Sequence, residues 1–407
     1  MPPHASAVPP GTRLLHIGPH KTGTTAVQGA FHQARDRLHA HGVHYAGKQR
    51  MPGHAVGSRL GLSLAKGEAP PDIDHWRELR DEVTAAGDRR VVVSCEFFAN
   101  ADPDALPEVV EELGGDAVHV VVTLRPLVRI LPSQWQEYVQ NGLRSGYEEW
   151  LDDILRKRAD DGTPTAFWRR HRHDALVERW AAVVGPDNVT VVVVDETDPL
   201  ALLRMFEELT GLPEGVLRPD SHVNPSLTLG EAEMLRRLNE ATHERGWPDR
   251  RYVEVIRHGV RFELRKPRER DAGEPRAATP EWAVDEAVAV AEEMTGRIAG
   301  LGVRIVGDPA RLTRRPTAQP APAGPPMVHA DVAARAVLAA VQKSAPKRKK
   351  KAQPPPRMAP AAGARKPASA EDRPVREVSA ATLVRILRRR GLRRLRRRMP
   401  RGRGPRG

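Results

Sequence analysis

The stretch that most constrains this chain is RLLHIGPHKTGTTAVQ, which covers residues 13–28. A short apolar run ends at Gly18, a polar loop follows, and a segment of helical character comes next. A strand that turns sharply into a helix N-terminus gathers backbone N–H groups around one point, where proteins hold phosphate-like anions. Gly23 permits an unusual backbone angle, and Thr24 and Thr25 can cap the helix and donate hydrogen bonds. The stretch therefore predicts an anion-binding loop.

The position of the lysine distinguishes this loop from the commonest phosphate loop. The nucleotide-hydrolase signature GxxxxGK[ST] places its lysine directly after the second glycine. Here Thr24 follows Gly23, and Lys21 lies two positions before that glycine, so the motif is a different one. The order PxKTGTT resembles the 5′-phosphosulfate loop of sulfotransferases that use 3′-phosphoadenosine 5′-phosphosulfate (PAPS). The alternative is a Gly/Thr turn with a solvated lysine.

A second motif follows a buried apolar run about 100 residues later. Arg125 and Ser133 lie eight positions apart in RPLVRILPSQWQEYVQNG. An arginine after a strand and a serine in the next helix can converge on one phosphate through a guanidinium fork and a hydroxyl. The PAPS-dependent family carries this Arg-x7-Ser pattern where it holds the 3′-phosphate. The alternative is an arginine in a surface ion pair beside an unrelated serine.

The resemblance covers roughly residues 13–211 and extends more weakly to about 307, where NPSLTLGEAEMLRRLN is similar to bacterial members. The RKGxxGDW segment of the vertebrate cytosolic branch is missing from the sequence, and Arg257, Gly259 and Arg261 are a poor substitute. The resemblance implies a P-loop nucleoside-triphosphate-hydrolase-like fold of the sulfotransferase type, with sulfuryl transfer as the activity.

Apolar runs alternate with amphipathic segments through the body of the chain. Runs that suit strands buried on both faces lie at 89–98, 116–126 and 187–197, and 303–308 could close the body as a last strand. Segments of helical spacing lie at 73–87, 102–115, 127–158, 167–185, 198–211 and in three stretches of 228–302. This alternation predicts an α/β protein with a three-layer, doubly wound parallel sheet.

Composition divides the chain into three parts. Residues 1–12 are predicted to be a flexible N-terminus, 13–308 the α/β domain, and 309–407 a low-complexity basic tail with short helices at 329–343 and 379–399. Residues 343–407 hold 23 of the 65 Lys and Arg residues but 3 of the 52 Asp and Glu residues, so the remainder is mildly acidic. The tail is expected to contact anionic surfaces such as membrane or nucleic acid, or to be solvated without a specific partner.

The compartment is predicted from what the sequence lacks. Cys95 is the one cysteine, which excludes an intrachain disulfide and fits a reducing compartment. The sequence has no apolar run long enough to span a bilayer and no secretory signal at its N-terminus. These features predict a cytoplasmic protein, and they do not predict its oligomeric state.

The resemblance also implies roles for the loop residues. Lys21 would neutralise the charge that gathers on the departing phosphate oxygen, because such transfers depend mostly on positioning and electrostatic stabilisation. Gly23 and the hydroxyls of Thr22, Thr24 and Thr25 would hold the 5′-phosphate. The family needs no metal, so PAPS is the expected co-substrate and no metal site is predicted.

The acceptor needs a base, for which the sequence offers three candidates. Glu96 comes first because it follows a predicted strand, and the carboxyl ends of parallel strands face the cleft of such folds. His20, inside the loop, is second, and His54, in a Gly-rich stretch, is third. Trp135 and Tyr138 could line the acceptor pocket, although at helical spacing core packing is the commoner role for at least one of them.

Two other functions fit parts of the sequence. An ATP-dependent small-molecule kinase of the same fold would use the loop with Mg²⁺, and an adaptor driven by the basic tail would retain only a vestigial nucleotide site. The order of Lys21–Thr25, together with Arg125 and Ser133, favours PAPS. The acceptor stays open among carbohydrate, lipid, small-metabolite and peptide hydroxyls or amines.

Overall fold

A six-stranded parallel sheet forms the centre of the computed structural model, which describes residues 7–64, 68–157, 166–220, 226–269, 274–317 and 324–344. The strand order is β2-β3-β1-β4-β5-β6, and each neighbouring pair is parallel. The strands are β1 Arg13–Gly18, β2 Val43–Tyr45, β3 Arg90–Ser94, β4 Val118–Leu124, β5 Val189–Val193 and β6 Arg304–Val306. The predicted doubly wound parallel α/β class is confirmed.

Fourteen α-helices surround or extend this sheet within the described ranges. They are α1 Thr24–Leu38, α2 Gly53–Arg59, α3 Asp74–Ala85, α4 Leu106–Leu113, α5 Leu127–Gln140, α6 Tyr147–Leu155, α7 Ala166–His171, α8 His173–Val184, α9 Ala201–Thr210, α10 Leu229–Glu244, α11 Asp249–Tyr252, α12 Arg261–Leu264, α13 Glu281–Gly300 and α14 Ala330–Ser344. A π-helix, Val253–Val260, joins α11 to α12 without a break.

The three layers follow from the alternation of side chains along buried strands. All seven residues of β4 are buried, as expected for a strand covered on both faces. On β1, Leu15 and Ile17 belong to a core formed with α3, α4 and α8, whereas Leu14 belongs to a second core formed with α1 and α9. Successive side chains of a strand point to opposite faces, so one apolar run fills both cores.

Several boundaries differ from those predicted. The apolar run at 89–98 leaves the sheet at Ser94 and continues as a 3₁₀-helix, Glu96–Asn100, because an apolar pattern alone does not separate a strand from a buried helical turn. The segment 167–185 is two helices that part at Arg172. Strand β2 was not predicted, since three residues are too short to show a period.

A third core lies among helices that follow the sheet in the sequence. It brings together α5, α6, α10, α13 and α14, and it includes Val332 and Ala336 of α14. The predicted end of the domain at residue 308 is therefore too early, because the packed body continues through Ser344. The helix predicted at 329–343 is present as α14, whereas the one predicted at 379–399 lies outside the described residues.

None of the helices in the described ranges is both long enough and apolar enough to cross a bilayer.

Packing of α14 on the body predicts a position-specific loss of stability. Ala336 is buried and Ala334, on the same helix, is exposed. Ala336→Asp should lower the free energy of unfolding by about 2 kcal/mol or more, because it places an unpaired carboxylate in an apolar core. Ala334→Asp is the matched control and should change it by less than about 0.5 kcal/mol. Urea denaturation of both variants measures the difference, and equal losses would contradict the packing of α14.

Candidate functional site

The loop between β1 and α1 has the backbone conformation of an anion site. Gly18, Lys21 and Gly23 all have positive φ angles, of 80°, 69° and 93°. Turns of this kind direct successive N–H groups into one concavity. A Cβ atom at Gly18 would lie 3.1 Å from Cβ of Glu96, so glycine is needed there for both its φ angle and its close approach. The Gly18–Pro19 peptide bond is cis.

The N-terminus of α1 is not capped as the sequence predicted. The N-cap residue is Gly23, and Thr24 and Thr25 are the first two residues of the helix, so their predicted capping role is wrong. Glycine supplies no side chain to the first N–H groups of the helix. Those groups carry partial positive charge and suit an anion.

Hydrogen bonds beneath the loop join it to three strands. The hydroxyl of Thr22 donates to the carbonyl oxygen of Pro19 at 2.6 Å and is hydrogen-bonded to the hydroxyl of Thr123 at 2.7 Å. His16 is hydrogen-bonded to Thr123 through Nε2 at 3.1 Å and to Ser94 through Nδ1 at 2.8 Å. Burial lowers the pKa of His16 to about 3, so its ring is neutral. The Thr22 hydroxyl is therefore used to shape the loop.

One cavity opens beside the loop, with a volume of about 590 Å³. Most of its lining residues are charged or polar and come from six parts of the chain, and a few are apolar. Among the predicted residues it brings together Lys21, Gly23, Thr25, Glu96 and Ser133. Thr24 is buried at the start of α1 and does not line this cavity.

Lys21 forms an ion pair inside this cavity that the sequence did not suggest. Its Nζ lies 2.5 Å from Oε2 of Glu137 on α5. Burial by itself would raise the pKa of Glu137, but the charge and hydrogen bond of Lys21, helped by His20 and Arg170, lower it. The sequence signal that could have identified Glu137 is its spacing from Ser133. Glu137 lies four residues after Ser133 on one helix, so the two side chains are neighbours on its surface.

Two arginines from α12 and its C-terminal end line the same cavity as Ser133. Arg261 and Arg265 both line it, and they follow the π-helix, a rare conformation that is often found at functional sites. Burial and the neighbouring charges of Arg265 and Arg257 lower the pKa of Arg261. Within the described residues the side chains of Ser133 and Arg265 make no hydrogen bond or ion pair. An anion would stabilise this group.

Arg125 lines a neighbouring cavity of about 560 Å³. Its Nε is bonded to Oε1 of Glu196, and Nε of Arg129 lies 3.4 Å from the other oxygen of the same carboxylate. Three further arginines, Arg311, Arg314 and Arg315, line this second cavity. Gly23 lines both cavities, whereas Arg125 and Ser133 line different ones.

Two of the three candidate bases lie at the loop between β1 and α1. Glu96 begins the 3₁₀-helix after β3, and its Oε2 accepts a hydrogen bond from Nε2 of Gln28 at 2.8 Å. The His20 ring is buried and stacks on Phe97, with 6.2 Å between ring centroids. Burial lowers the pKa of His20, and Glu96 opposes this shift. His20 is therefore a neutral ring held beside a carboxylate.

The remaining predicted residues lie farther from the loop. His54 is exposed on α2 with its ring against His75, and it lines neither cavity. Trp135 is buried, and its ring packs against Tyr147 in the helical core while its Nε1 donates to the carbonyl oxygen of Ser145. Tyr138 has a buried hydroxyl that finds no partner within the described residues.

Comparisons with known proteins find a similarity among solved structures alone. No family model matches the chain, and no curated protein matches it. Among solved structures, a sulfotransferase from Alicyclobacillus acidocaldarius is 19% identical in sequence with a TM-score of 0.39, over 61% of this chain and 96% of that one. A likeness at this level carries no conclusion about the reaction, which depends on the site itself.

The neutral His16 beneath the loop predicts a pH dependence of stability. Its ring takes up a proton below pH 6.5 in the unfolded chain but only near pH 3 in the folded chain. The stability that it contributes is therefore complete above pH 6.5 and is lost as the pH falls toward 3.

Urea denaturation as a function of pH measures this contribution by comparing the protein with His16→Asn. Below pH 6.5 the wild type should lose stability more steeply, by on the order of 1.4 kcal/mol per pH unit. The other buried histidines titrate in both proteins, so the difference isolates His16. Parallel curves would contradict a neutral, buried His16.

Proposed function

We propose that this protein is a sulfotransferase that moves the sulfuryl group of PAPS to a hydroxyl or amine of an acceptor, in line and without a metal. One observation supports the proposal: a single cavity is lined by two groups of residues that suit anions. The first comprises Lys21, Gly23 and Thr25 at the start of α1, and the second comprises Ser133, Arg261 and Arg265. A nucleotide with phosphates at both its 5′ and 3′ ends matches this pair of sites.

The apolar part of the same cavity supports a nucleotide rather than two free anions. Ala26, Pro199, Leu203 and Pro219 line it. Binding sites typically combine an apolar surface with a few placed polar groups, and a purine ring needs such a surface. The 5′-phosphate would lie against the N–H groups of α1, with Gly23 and Thr25 around it.

We also assign Arg125 a role in donor binding, on the condition that it leaves its present ion pair. Its guanidinium is paired with Glu196, which Arg129 also contacts. To reach the 3′-phosphate it must leave that carboxylate. We therefore assign the larger share of 3′-phosphate binding to Arg265, whose side chain has no partner within the described residues.

The chemistry follows from where charge develops. PAPS supplies the sulfuryl group: a bond forms from the acceptor oxygen to sulfur as the bond from sulfur to the 5′-phosphate oxygen breaks, and that oxygen gains charge. Lys21 and the N-terminus of α1 are placed to stabilise such charge. Glu137 holds the Lys21 ammonium in position. The acceptor proton passes to Glu96, which Gln28 orients, and His20 is the second choice of base.

Donor recognition is the first prediction from this proposal. Calorimetry on the full chain should give tighter binding of 3′-phosphoadenosine 5′-phosphate than of 5′-AMP or ATP. Arg265→Ala should weaken that binding by about tenfold to a hundredfold, as for a lost charge-assisted hydrogen bond, and should leave 5′-AMP binding nearly unchanged. Arg250→Ala, an exposed arginine of α11, is the matched control.

Two results would count against this assignment. Equal affinity for ligands with and without the 3′-phosphate would remove the sulfotransferase proposal, and tighter Mg²⁺-dependent ATP binding would favour a kinase. Removing residues 345–407 distinguishes an enzyme from the adaptor alternative, because an enzyme should keep its affinity for the nucleotide without them.

The catalytic roles give a second prediction. Release of 3′-phosphoadenosine 5′-phosphate from PAPS, followed by chromatography, should fall by at least about a hundredfold in Lys21→Ala, because the departing oxygen loses its neutralising charge. Glu96→Gln should reduce release by about a hundredfold with unchanged nucleotide affinity, as for a lost general base. If Glu96→Gln stays within a few-fold of wild type while His20→Asn does not, the base is His20.

A further inference from the structure

Five of the seven large apolar side chains that the described residues expose lie on α14 or close to it. Val337, Leu338 and Val341 belong to α14 and are 63%, 56% and 60% exposed. Met327 comes three residues before α14, and Phe262 lies on α12, which packs on α14. Exposed apolar side chains normally occur singly on a protein surface, whereas a concentration of them marks an interaction site.

The helix α14 carries apolar residues on two different faces. Val332 and Ala336 face the third core, where the other helices cover them. An α-helix turns by about 100° per residue, so Val337, Leu338 and Val341 lie roughly 100–200° around the axis from Ala336. These three residues, which we call the apolar stripe, therefore point away from the body.

A groove of about 1060 Å³ separates one side of α14 from the π-helix and α12. Its charged lining residues are five cations, Arg257, Arg261, Arg265, Lys266 and Lys343, and one carboxylate, Glu263. Nζ of Lys266 lies 2.6 Å from Oε2 of Glu263. Within the described residues, Arg257, Arg265 and Lys343 form no ion pair. The groove therefore carries uncompensated positive charge beside a helix with an exposed apolar stripe.

The chain continues from α14 into its most basic part. Residues 345–407, which follow the last residue of the helix, contain 22 Lys and Arg residues and 3 Asp and Glu residues. Positive charge that is spread over a long segment is attracted to a surface with many equivalent negative charges. The partner of this region is therefore expected to be anionic and extended.

Charge and apolar surface together favour one partner over two others. A second copy of the chain would bring one basic groove and tail against another, and like charges in an interface are unfavourable. Nucleic acid would match the charge, but its interfaces are polar, so the apolar stripe would stay in contact with water. An anionic bilayer offers acidic head groups above an apolar layer, and helices with an apolar face and basic flanks lie in that interface.

We propose that α14 docks the protein on the surface of an anionic membrane. The apolar stripe enters the boundary between head groups and acyl chains, while the basic groove and residues 345–407 contact acidic head groups. The helix lies along the surface. Docking does not depend on the proposed sulfuryl transfer, because neither the stripe nor Lys343 lines the nucleotide cavity.

A dye on the apolar stripe distinguishes insertion of α14 from binding through the tail alone. The full chain with Val341→Cys is labelled with a polarity-sensitive fluorophore, and Cys95 is buried, so the new thiol takes the label. Vesicles of phosphatidylglycerol and phosphatidylcholine in equal parts should shift the emission to the blue, whereas phosphatidylcholine alone should not. Ile73→Cys, at an exposed apolar position before α3, is the matched control and should show no shift.

Vesicle sedimentation of unlabelled full chains measures the strength of docking. Leu338→Asp should weaken partitioning onto the anionic vesicles by at least about tenfold, because it replaces an inserting apolar side chain with a charge of the lipid's own sign. Ile73→Asp adds the same charge at an exposed apolar position away from α14 and should stay within about twofold of wild type. Urea denaturation should give Leu338→Asp the stability of the wild type, because Leu338 is exposed.

Three results would overturn this inference. Sedimentation with anionic vesicles without a dye shift at position 341 would assign binding to residues 345–407 alone. Equal binding to both kinds of vesicle, or binding to neither, would exclude an anionic membrane as the partner. A dimer in vesicle-free solution that Leu338→Asp dissociates would assign the apolar stripe to a second copy of the chain.

Discussion

The candidate site depends on the hydrogen bonds that tie the anion loop to the sheet. Ser94 and His16 are register partners on adjacent strands, and Thr123 on the next strand connects His16 to Thr22 in the loop. These contacts are buried, where a hydrogen bond is electrostatically stronger than in water. They hold a loop in which Lys21 has a left-handed backbone angle, which costs on the order of 1–3 kcal/mol in a non-glycine residue. The sheet therefore stabilises the strained turn that presents the lysine.

Charge around the loop is distributed unevenly. Lys21 is paired with Glu137, Arg125 with Glu196, and Arg311 with Asp195, so these cations are already compensated. Within the described residues, Arg265 is a cation of the cavity without such a partner, and it lies near Arg261. An entering anion gains most where no carboxylate has to be displaced, since an uncompensated charge is the costly state. This distribution is why the proposed 3′-phosphate site is assigned mainly to the arginines after the π-helix.

Much of the fold could be predicted because its signals are local. Apolar runs indicated the strands, and the order Lys-Thr-Gly-Thr-Thr indicated the loop. Burial on both faces of a sheet favours apolar residues, and an unusual φ angle favours glycine. Predictions failed where the outcome depends on packing partners. The cap of α1, the end of the strand at Ser94 and the domain boundary at residue 308 all depend on what the rest of the chain places nearby. Glycine at the N-cap, for instance, leaves the helix terminus open for a ligand.

The sequence by itself determined the class of fold, and it predicted an anion loop with Lys21 and a base at Glu96 from residue types within short stretches. The tertiary structure alone decided which distant groups meet that loop. It brought Glu137 to Lys21. It also brought Arg261 and Arg265 to the cavity that Ser133 lines, and it placed Arg125 in a neighbouring cavity. The physical reason is that ion pairs and shared cavities depend on which strands are neighbours and on how helices pack across them. No local pattern of residues records that arrangement.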